Sequence, residues 1–198
     1  MNSEYINIDD AVLVNKCQKG DSAAIERLII KYQNRIYNLI LRMCGNPEDA
    51  AELTQDTFIK VIEKIAGFEG KSSFYTWLFR IAVNITLNFC QKNARLAAKS
   101  LEEQTLHNPD AKQSLKDILQ DNNTPEPSMV AQNKELCQLV TCSLEKLDEA
   151  QRAVIVLRDI EGMNYEQIAE VLGLELGTVK SRISRARTEL KYILEAMI

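Results

Sequence analysis

The segment Gly177–Lys191 carries side chains that suit nucleic-acid binding, because it contains five basic residues against a single acid. Lysine and arginine neutralise phosphates, and arginine also donates paired hydrogen bonds to guanine in the major groove. The basic residues are Lys180, Arg182, Arg185, Arg187 and Lys191. At about 100° per residue, a helix here places Ser181, Ser184 and Arg185 on one face. The pattern therefore indicates a helix that presents a DNA-binding face.

A second helix precedes this segment and would position it. Tyr165–Leu172 has helical periodicity, and Gly173 follows, where a helix C-terminus accepts a residue with positive φ. Thr178 suits the N-cap or the first turn of the basic helix. The apolar residues of the two helices are Ile168, Ala169, Leu172, Val179, Ile183, Ala186 and Leu190. The arrangement predicts a helix-turn-helix, and the alternative is a helical hairpin with a solvated basic face.

A second stretch, Phe68–Arg95, combines aromatic rings with a polar helix face. Five of the twelve aromatic residues of the chain lie between Phe68 and Phe79, and no acid occurs from Thr76 to Leu101. A row of polar side chains at helical spacing consists of Arg80, Asn84, Asn88, Gln91 and Arg95. Aromatic rings beside a basic groove can hold unstacked single-stranded bases. The rings can equally fill a core, and composition alone leaves both interpretations open.

Helical periodicity and helix-end signals extend along most of the chain, so we predict an all-α protein. Helices are expected over residues 9–19, from Asp21 to Gly45, from Asn46 to about Ile65 and over residues 75–95. The third of these is acidic. Residues 100–130 contain three of the four prolines and weak periodicity, and are predicted to be a flexible linker, with a possible helical turn over residues 112–119. Helices resume from residue 131, so two helical domains are expected.

Composition limits the classes of function. The net charge is −4 and the pI is about 5.2, so the positive charge is local and the chain is expected to depend on a partner to hold it on DNA. No apolar run of about 18 residues and no signal peptide are visible, which predicts a cytoplasmic protein without membrane insertion. The five cysteines follow no metal spacing and are interpreted as buried free thiols, with redox sensing as the alternative. His107 lies in the linker, and neither a catalytic residue nor a cofactor is predicted.

Three segments together resemble the extracytoplasmic-function (ECF) group of sigma-70 family transcription initiation factors. They are DAAELTQDTFIKVIEKI (49–65), FEGKSSFYTWLFRIAVNITLNF (68–89) and YEQIAEVLGLELGTVKSRISRARTEL (165–190). The resemblance covers nearly the whole chain, and three motifs in order are more specific than a helix-turn-helix alone. It implies region 2 over residues 9–95, a linker over 96–130 and region 4 over 131–198.

The resemblance also implies a role for each surface, by position. Core RNA polymerase would be bound by Asp49, Leu53, Gln55, Asp56, Phe58 and Ile59. The −10 promoter element would be melted and read by Phe68, Lys71, Ser72, Phe74, Trp77, Arg80, Asn84 and Asn88, with a flipped base held in the loop 68–74. The −35 element would be read in the duplex by Thr178, Lys180, Ser181, Arg182, Ser184, Arg185 and Arg187. An anti-sigma partner, and a monomer in the free state, are further expectations.

Two positions depart from the pattern that the family often shows. Proline is common after Leu147 and two residues before Gly177, whereas this chain has Asp148 and Glu175 there. An acid at position 175 is expected to weaken the approach to phosphates or to change the preferred sequence. The competing hypothesis is an autonomous repressor or activator, against which the acidic net charge argues. A helical enzyme finds no support, since no metal-spaced set, phosphate loop or nucleophile motif is present.

Overall fold

Helices make up the architecture of this computed structural model, which describes residues 10–105 and 139–197, with side chains for 10–96 and 139–197. No strand occurs within those ranges, so the all-α prediction is confirmed. The N-terminal helices are α1 (Asp10–Gln18), α2 (Ser22–Cys44), α3 (Pro47–Lys64) and α4 (Phe74–Thr105), with a 3₁₀ turn at Ile65–Gly67. The C-terminal helices are α5 (139–145), α6 (Glu149–Ile155), a π-helical turn (Val156–Ile160), α7 (Tyr165–Leu172) and α8 (Leu176–Glu195).

The helix ends of the N-terminal half follow the sequence signals. The Asp21 carboxylate accepts hydrogen bonds from the first backbone N–H groups of α2, and Gly45 ends that helix with φ +78°. The Asn46 side chain accepts bonds from the N–H groups of Glu48 and Asp49, with Pro47 in the first helical position. The predicted caps are therefore confirmed, since each satisfies backbone donors that a helix terminus leaves without partners.

Helix α4 differs from the prediction in length and in its buried face. It continues ten residues beyond Arg95, because residues 96–104 are rich in Ala, Leu, Lys and Glu, which favour helix. Of the predicted stripe only Leu78 is fully buried, whereas Ile81, Ile85 and Phe89 are half-buried. The fully buried positions also include Phe79, Ala82, Val83 and Thr86. The wider burial arises because α4 packs against α2 and α3 and also against α7.

The C-terminal helices form the predicted helix-turn-helix. Asn164 and Gln167 form a capping box at the start of α7, and Gly173 ends it with φ +63°. The α8 stripe predicted from the sequence is buried at Val179, Ile183 and Ala186. Thr178 lies in the first turn of α8 rather than at its cap, since α8 begins one residue after Glu175. The basic helix is therefore held by its apolar side, and much of its other side is exposed.

The two groups of helices pack against each other, chiefly through α4 and α7, and their buried residues form one apolar cluster. None of the described helices is long and apolar enough to cross a membrane. The possible helical turn at 112–119, His107 and Cys137 lie outside the described residues.

Candidate nucleic-acid interface

A cavity of about 510 Å³ lies between α1 and the loop that precedes α4. Both of its walls carry polar groups, and the wall formed by the loop also carries aromatic rings. The lining residues are Asp10, Ala11, Val14, Asn15, Gln18, Phe68, Glu69, Gly70, Ser72, Ser73 and Phe74. The Gln18 side-chain amide donates hydrogen bonds to the carbonyl oxygens of Phe68 (2.8 Å) and Ile65 (3.2 Å). Helix α1 thus holds the loop in place, a role that no local signal in the sequence of α1 could have indicated.

The aromatic residues of the loop form one cluster with the first turn of α4. The ring centroids of Phe68 and Trp77 lie 5.0 Å apart, and those of Phe74 and Trp77 lie 5.8 Å apart. Phe74 and Phe79 are buried, whereas Phe68 and Trp77 are only half-buried. The core interpretation therefore applies to Phe74 and Phe79, whereas Phe68 and Trp77 keep exposed ring surface and the single-strand interpretation stays a prediction for them.

The start of α4 is fixed by a cap that sequence reasoning missed. The Ser73 hydroxyl lies 3.0 Å from the backbone nitrogen of Thr76 and accepts its hydrogen bond. Serine directly before an aromatic helical run is a recognisable N-cap signal, so this contact was accessible from the sequence. Beside it, Ser72 is half-buried and lines the cavity, while exposed Lys71 forms an ion pair with Glu69.

Beyond the cavity, the polar row of α4 faces solvent. Arg80, Asn84 and Asn88 are exposed, and Gln91 and Arg95 continue the row. At a rise of about 1.5 Å per residue, the distance from position 80 to position 95 is roughly 22 Å. The row therefore provides a path of cationic and amide groups that leads away from the aromatic cluster, as a single strand of nucleic acid requires.

Helix α3 places the residues predicted to bind polymerase in two environments. Gln55, Asp56 and Ile59 are exposed, and Asp49 is half-buried. Leu53 and Phe58 are buried in the core. Leu53 and Phe58 therefore pack α3 against the core and are not part of its exposed face. A further exposed apolar residue, Ile62, lies one turn after Ile59 and extends the outer face.

Helix α8 presents most of its predicted DNA contacts to solvent. Thr178, Lys180, Ser184 and Arg185 are exposed, and Ser181 and Arg182 are half-buried. A groove of about 230 Å³ separates this face from the start of α6 and is lined by Asp148, Ala150, Gln151, Thr178, Ser181, Arg182 and Arg185. The Asp148 carboxylate accepts a hydrogen bond from the backbone of Gln151 at 2.8 Å, so it acts as the N-cap of α6.

Arg187 differs from the other basic residues of α8. Its guanidinium donates two hydrogen bonds to the Asp159 carboxylate, one of them from Nε at 3.1 Å. Nearby, Arg158 donates to the Met163 carbonyl at 2.7 Å and lies 4.9 Å from the centroid of the Tyr165 ring. Both arginines brace the turn before α7, and an arginine engaged in this way is less available to phosphate.

Comparison with known proteins gives two family matches and full-length relatives. The description "Sigma-70 region 2" matches residues 28–96, and "Sigma-70, region 4" matches residues 137–190. The ECF RNA polymerase sigma-E factor of Haemophilus influenzae is 34% identical over 192 residues, which cover 96% of this chain and 98% of the relative. The sigma-E factor of Escherichia coli K12 is 35% identical over 96% of this chain and 97% of its own.

Two solved structures are similar over both halves of the chain. CnrH in complex with the cytosolic domain of CnrY has a TM-score of 0.67 and 26% identity, covering 94% of this chain and 97% of CnrH. The sigma factor RpoE of Bartonella quintana in complex with the anti-sigma factor NepR has a TM-score of 0.64 and 25% identity, covering 86% of this chain and 96% of RpoE.

Proposed function

The chain belongs to the ECF group of the sigma-70 family, and from this we propose how its surfaces direct promoter-specific initiation by RNA polymerase. As a sigma factor it binds core polymerase and promoter DNA. Phosphodiester chemistry belongs to the polymerase, so the contribution of this chain is binding, positioning and strand opening. Its place of action is then the bacterial cytoplasm, where the genome and polymerase are found.

The observation that carries the proposal for the −10 element is the cavity beside the half-buried rings. At about 510 Å³ it lies within the range of roughly 300–1,000 Å³ typical of small-ligand sites, so one base fits. Ser72 and Asn15 supply polar groups at its wall. We assign this cavity to a base flipped out of the non-template strand, with Trp77, Arg80 and Asn84 along the path of the strand.

Strand opening has a cost that these contacts can offset. Removing a base from the stack costs a few kcal/mol. Stacking a base on an aromatic side chain returns about 1–3 kcal/mol. The exposed Arg80 adds attraction to phosphate that does not depend on sequence. Capture of one base and of the adjoining strand is therefore comparable in magnitude to the cost of opening, which permits melting without a chemical energy source.

The −35 element is assigned to the exposed face of α8. In a helix-turn-helix, the N-terminal part of the second helix enters the major groove and contacts base edges. Thr178, Lys180, Ser181 and Ser184 lie in that part of α8, and Arg185 follows one turn after Ser181. Arg182 is half-buried beside the groove to α6, which suits a phosphate contact at the edge of the site. We assign Arg187 to bracing rather than to base recognition.

Core polymerase is assigned to the outer face of α3, which is formed by Gln55, Asp56, Ile59 and Ile62 together with its acids. This face combines exposed apolar and acidic groups. When the polymerase holds both halves of the chain, the second DNA contact forms at high effective concentration. Two DNA-binding surfaces that are each weak alone then bind the promoter together.

An inhibitory protein partner is proposed as the regulator. The solved relatives CnrH and RpoE were each determined with a partner, the latter an anti-sigma factor. We propose that an anti-sigma protein binds this chain in the same manner and is released in response to a stress or envelope signal. A binding screen in cells that recovers polymerase but no inhibitory partner would contradict this part.

Run-off transcription tests the proposed function. Core polymerase is mixed with the protein and fragments of its own genome, and Asn84→Ala and Arg185→Ala are compared with the exposed control Lys19→Ala. New start sites are expected with the parent and the control, and are expected to be much weaker with the two site variants. Failure to bind core polymerase, together with a palindromic footprint by the protein alone, would instead establish an autonomous regulator.

A further inference from the structure

The five basic residues of α8 fall into two groups, because only some of them are paired with an acid. The Arg187 guanidinium donates two hydrogen bonds to the Asp159 carboxylate. Nζ of Lys191 lies 3.6 Å from a carboxylate oxygen of Glu195. The basic residues of α8 that form no ion pair within the described ranges are Lys180, Arg182 and Arg185. Acids therefore neutralise the cations of the C-terminal half of the helix and leave those of the N-terminal half available to phosphate.

Arg187 lies on the same side of α8 as Lys180 and Ser184, which are assigned to the −35 element. The three positions are separated by four and three residues, so their side chains form one row along the helix. All three residues are exposed. At a rise of about 1.5 Å per residue, Arg187 lies roughly 10 Å farther along α8 than Lys180. Without its acid, the Arg187 guanidinium would therefore be available to the phosphates of a duplex bound by the start of the helix.

The acid that binds Arg187 comes from a segment with an unusual backbone conformation. Asp159 lies in the π-helical turn Val156–Ile160, 28 positions before Arg187 in the sequence. Residues 153–157 are all buried, whereas Asp159 is exposed. π-helical turns are rare and are frequent at functional sites. This turn brings a carboxylate to the basic row of α8, although none of its own residues is assigned to DNA.

The ion pair between Asp159 and Arg187 contributes little to the stability of the fold. The side chains of Asp159 and Arg187 are 36% and 49% exposed, and ion pairs in contact with water are weak. The same turn has other supports, because Arg158 donates to the Met163 carbonyl at 2.7 Å and a capping box begins α7 at Asn164. The effect of the pair on the charge of α8 therefore explains it better than an effect on stability.

We propose that Asp159 is a specificity-determining residue, because it masks Arg187 and so limits the binding of α8 to DNA of any sequence. Contacts to phosphate strengthen binding to every sequence, whereas contacts to base edges select one. With Arg187 masked, the unpaired cations lie in the half of α8 that contacts bases. The −35 element then competes better with the many other sites of a genome. This inference rests on the assignment of α8 to the −35 element.

A free Arg187 would affect specific and sequence-independent complexes to different degrees. In the specific complex, base contacts at the start of α8 fix the position of the helix, so the place of Arg187 relative to the DNA backbone is also fixed. In a sequence-independent complex no base contact imposes this restriction, and the helix can settle wherever its cations meet phosphates. Releasing Arg187 is therefore expected to strengthen binding to random DNA more than binding to the −35 element.

Asp159→Asn tests the proposal, because it removes the charge while retaining the size of the side chain. The full-length chain is titrated with a fluorescent random-sequence duplex at several salt concentrations, and anisotropy gives the affinity. We expect the slope of log affinity against log salt to steepen by about 0.9, with binding roughly threefold to tenfold tighter at physiological salt. Glu189→Gln is the matched control, since it removes an exposed acid two residues from Arg187, and it should change the slope far less.

A double variant identifies Arg187 as the group that Asp159 masks. In Asp159→Asn/Arg187→Ala the salt slope should return to that of the parent, and so should the ratio of affinities for a −35 duplex and random DNA, which Asp159→Asn lowers.

Four results would overturn the proposal. They are a parent slope or no measurable binding in Asp159→Asn, an equal change in Glu189→Gln, a steep slope that persists in the double variant, and loss of helix by circular dichroism in Asp159→Asn. The measurement on random DNA needs neither polymerase nor a known promoter, so its failure is distinct from a failure of run-off transcription.

Discussion

The side-chain amide of Gln18 lies 2.8 Å from the carbonyl oxygen of Phe68, so α1 and the aromatic loop are joined directly across the cavity assigned to a flipped base. The same amide also binds the carbonyl of Ile65. Because the two groups are about fifty positions apart in the chain, the loop geometry depends on a helix that is distant in sequence and that also contributes Asn15 to the wall of the cavity.

Gln18→Ala is therefore expected to loosen the loop without changing polymerase binding. Each lost hydrogen bond is worth about 0.5–1.5 kcal/mol, so promoter opening should slow by roughly threefold to tenfold. Stopped-flow fluorescence of a base analogue in the −10 element measures the opening rate. Lys19→Ala, an exposed neighbour, should behave as the parent. Equal rates for Gln18→Ala and the parent would show that the loop does not need this support.

Variants in the polar row on α4 should distinguish the charge contribution to single-strand binding from the contribution of the amide side chains. Replacing Arg80 by Ala removes one phosphate contact, so the slope of log affinity against log salt should fall in magnitude by about 0.7 for single-stranded DNA. Asn84→Ala should weaken binding while leaving that slope unchanged, since it removes no charge. Titration of the holoenzyme with a labelled non-template strand at several salt concentrations measures both. Identical slopes for the parent and Arg80→Ala would place the phosphate path elsewhere.

Two arginines of α8 should differ in their effects on the −35 element. Arg185 is exposed beside the groove to α6, and Arg185→Ala should reduce affinity by roughly 5-fold to 150-fold, the equivalent of about 1–3 kcal/mol for a base contact. Arg187 is already bonded to Asp159, so Arg187→Ala should change affinity by less than about threefold and lower stability by at most about 1 kcal/mol. Gel-shift titration and thermal unfolding measure these. An equal loss of affinity in the two variants would contradict the assignment of Arg187.

Local signals in the sequence predicted most of the helices and the outline of the site. Asp21, Asn46 and Gly45 act at the helix ends where they were expected, because capping involves residues close in the chain. The exposed row on α4 and the basic face of α8 follow from helical periodicity alone. Periodicity also predicts which side of an isolated helix is apolar, and this is sufficient where a helix has a single packing partner.

The features that sequence reasoning missed depend on contacts between distant segments. The buried face of α4 was only partly predicted, since α4 contacts α7 as well as α2 and α3, and Phe79 and Val83 are buried outside the predicted stripe. The pairing of Arg187 with Asp159 and of Arg35 with Glu161 joins residues 28 and 126 positions apart. No propensity or spacing rule encodes such partners. The polymerase-binding role of Leu53 and Phe58 was implied by resemblance alone, and their burial in the core is visible only in three dimensions.

The thiols should differ sharply in reactivity, which tests whether they could sense oxidants. Burial raises the pKa of the Cys90 thiol to about 11 and also raises the pKa values of Cys17 and Cys44. Cys142 is exposed. Because the thiolate is the reactive form, a thiol with a pKa near 11 is ionised in only about one molecule in a thousand at pH 8. We expect iodoacetamide to label Cys142 quickly and Cys17, Cys44 and Cys90 slowly, as followed by peptide mass spectrometry.

The contribution of Cys90 to the free energy of unfolding should depend on pH in a definite direction. A raised pKa means that the folded state favours the neutral thiol, so the stabilisation is complete below the ordinary value of 9.0 and is lost as the pH rises from there to about 11. Urea unfolding should therefore show a lower free energy of unfolding at pH 10 than at pH 8. This difference should be smaller in Cys90→Ala. Fast labelling of Cys90 at pH 8, or a loss that is unchanged in Cys90→Ala, would instead support a reactive thiol and restore the redox-sensing interpretation.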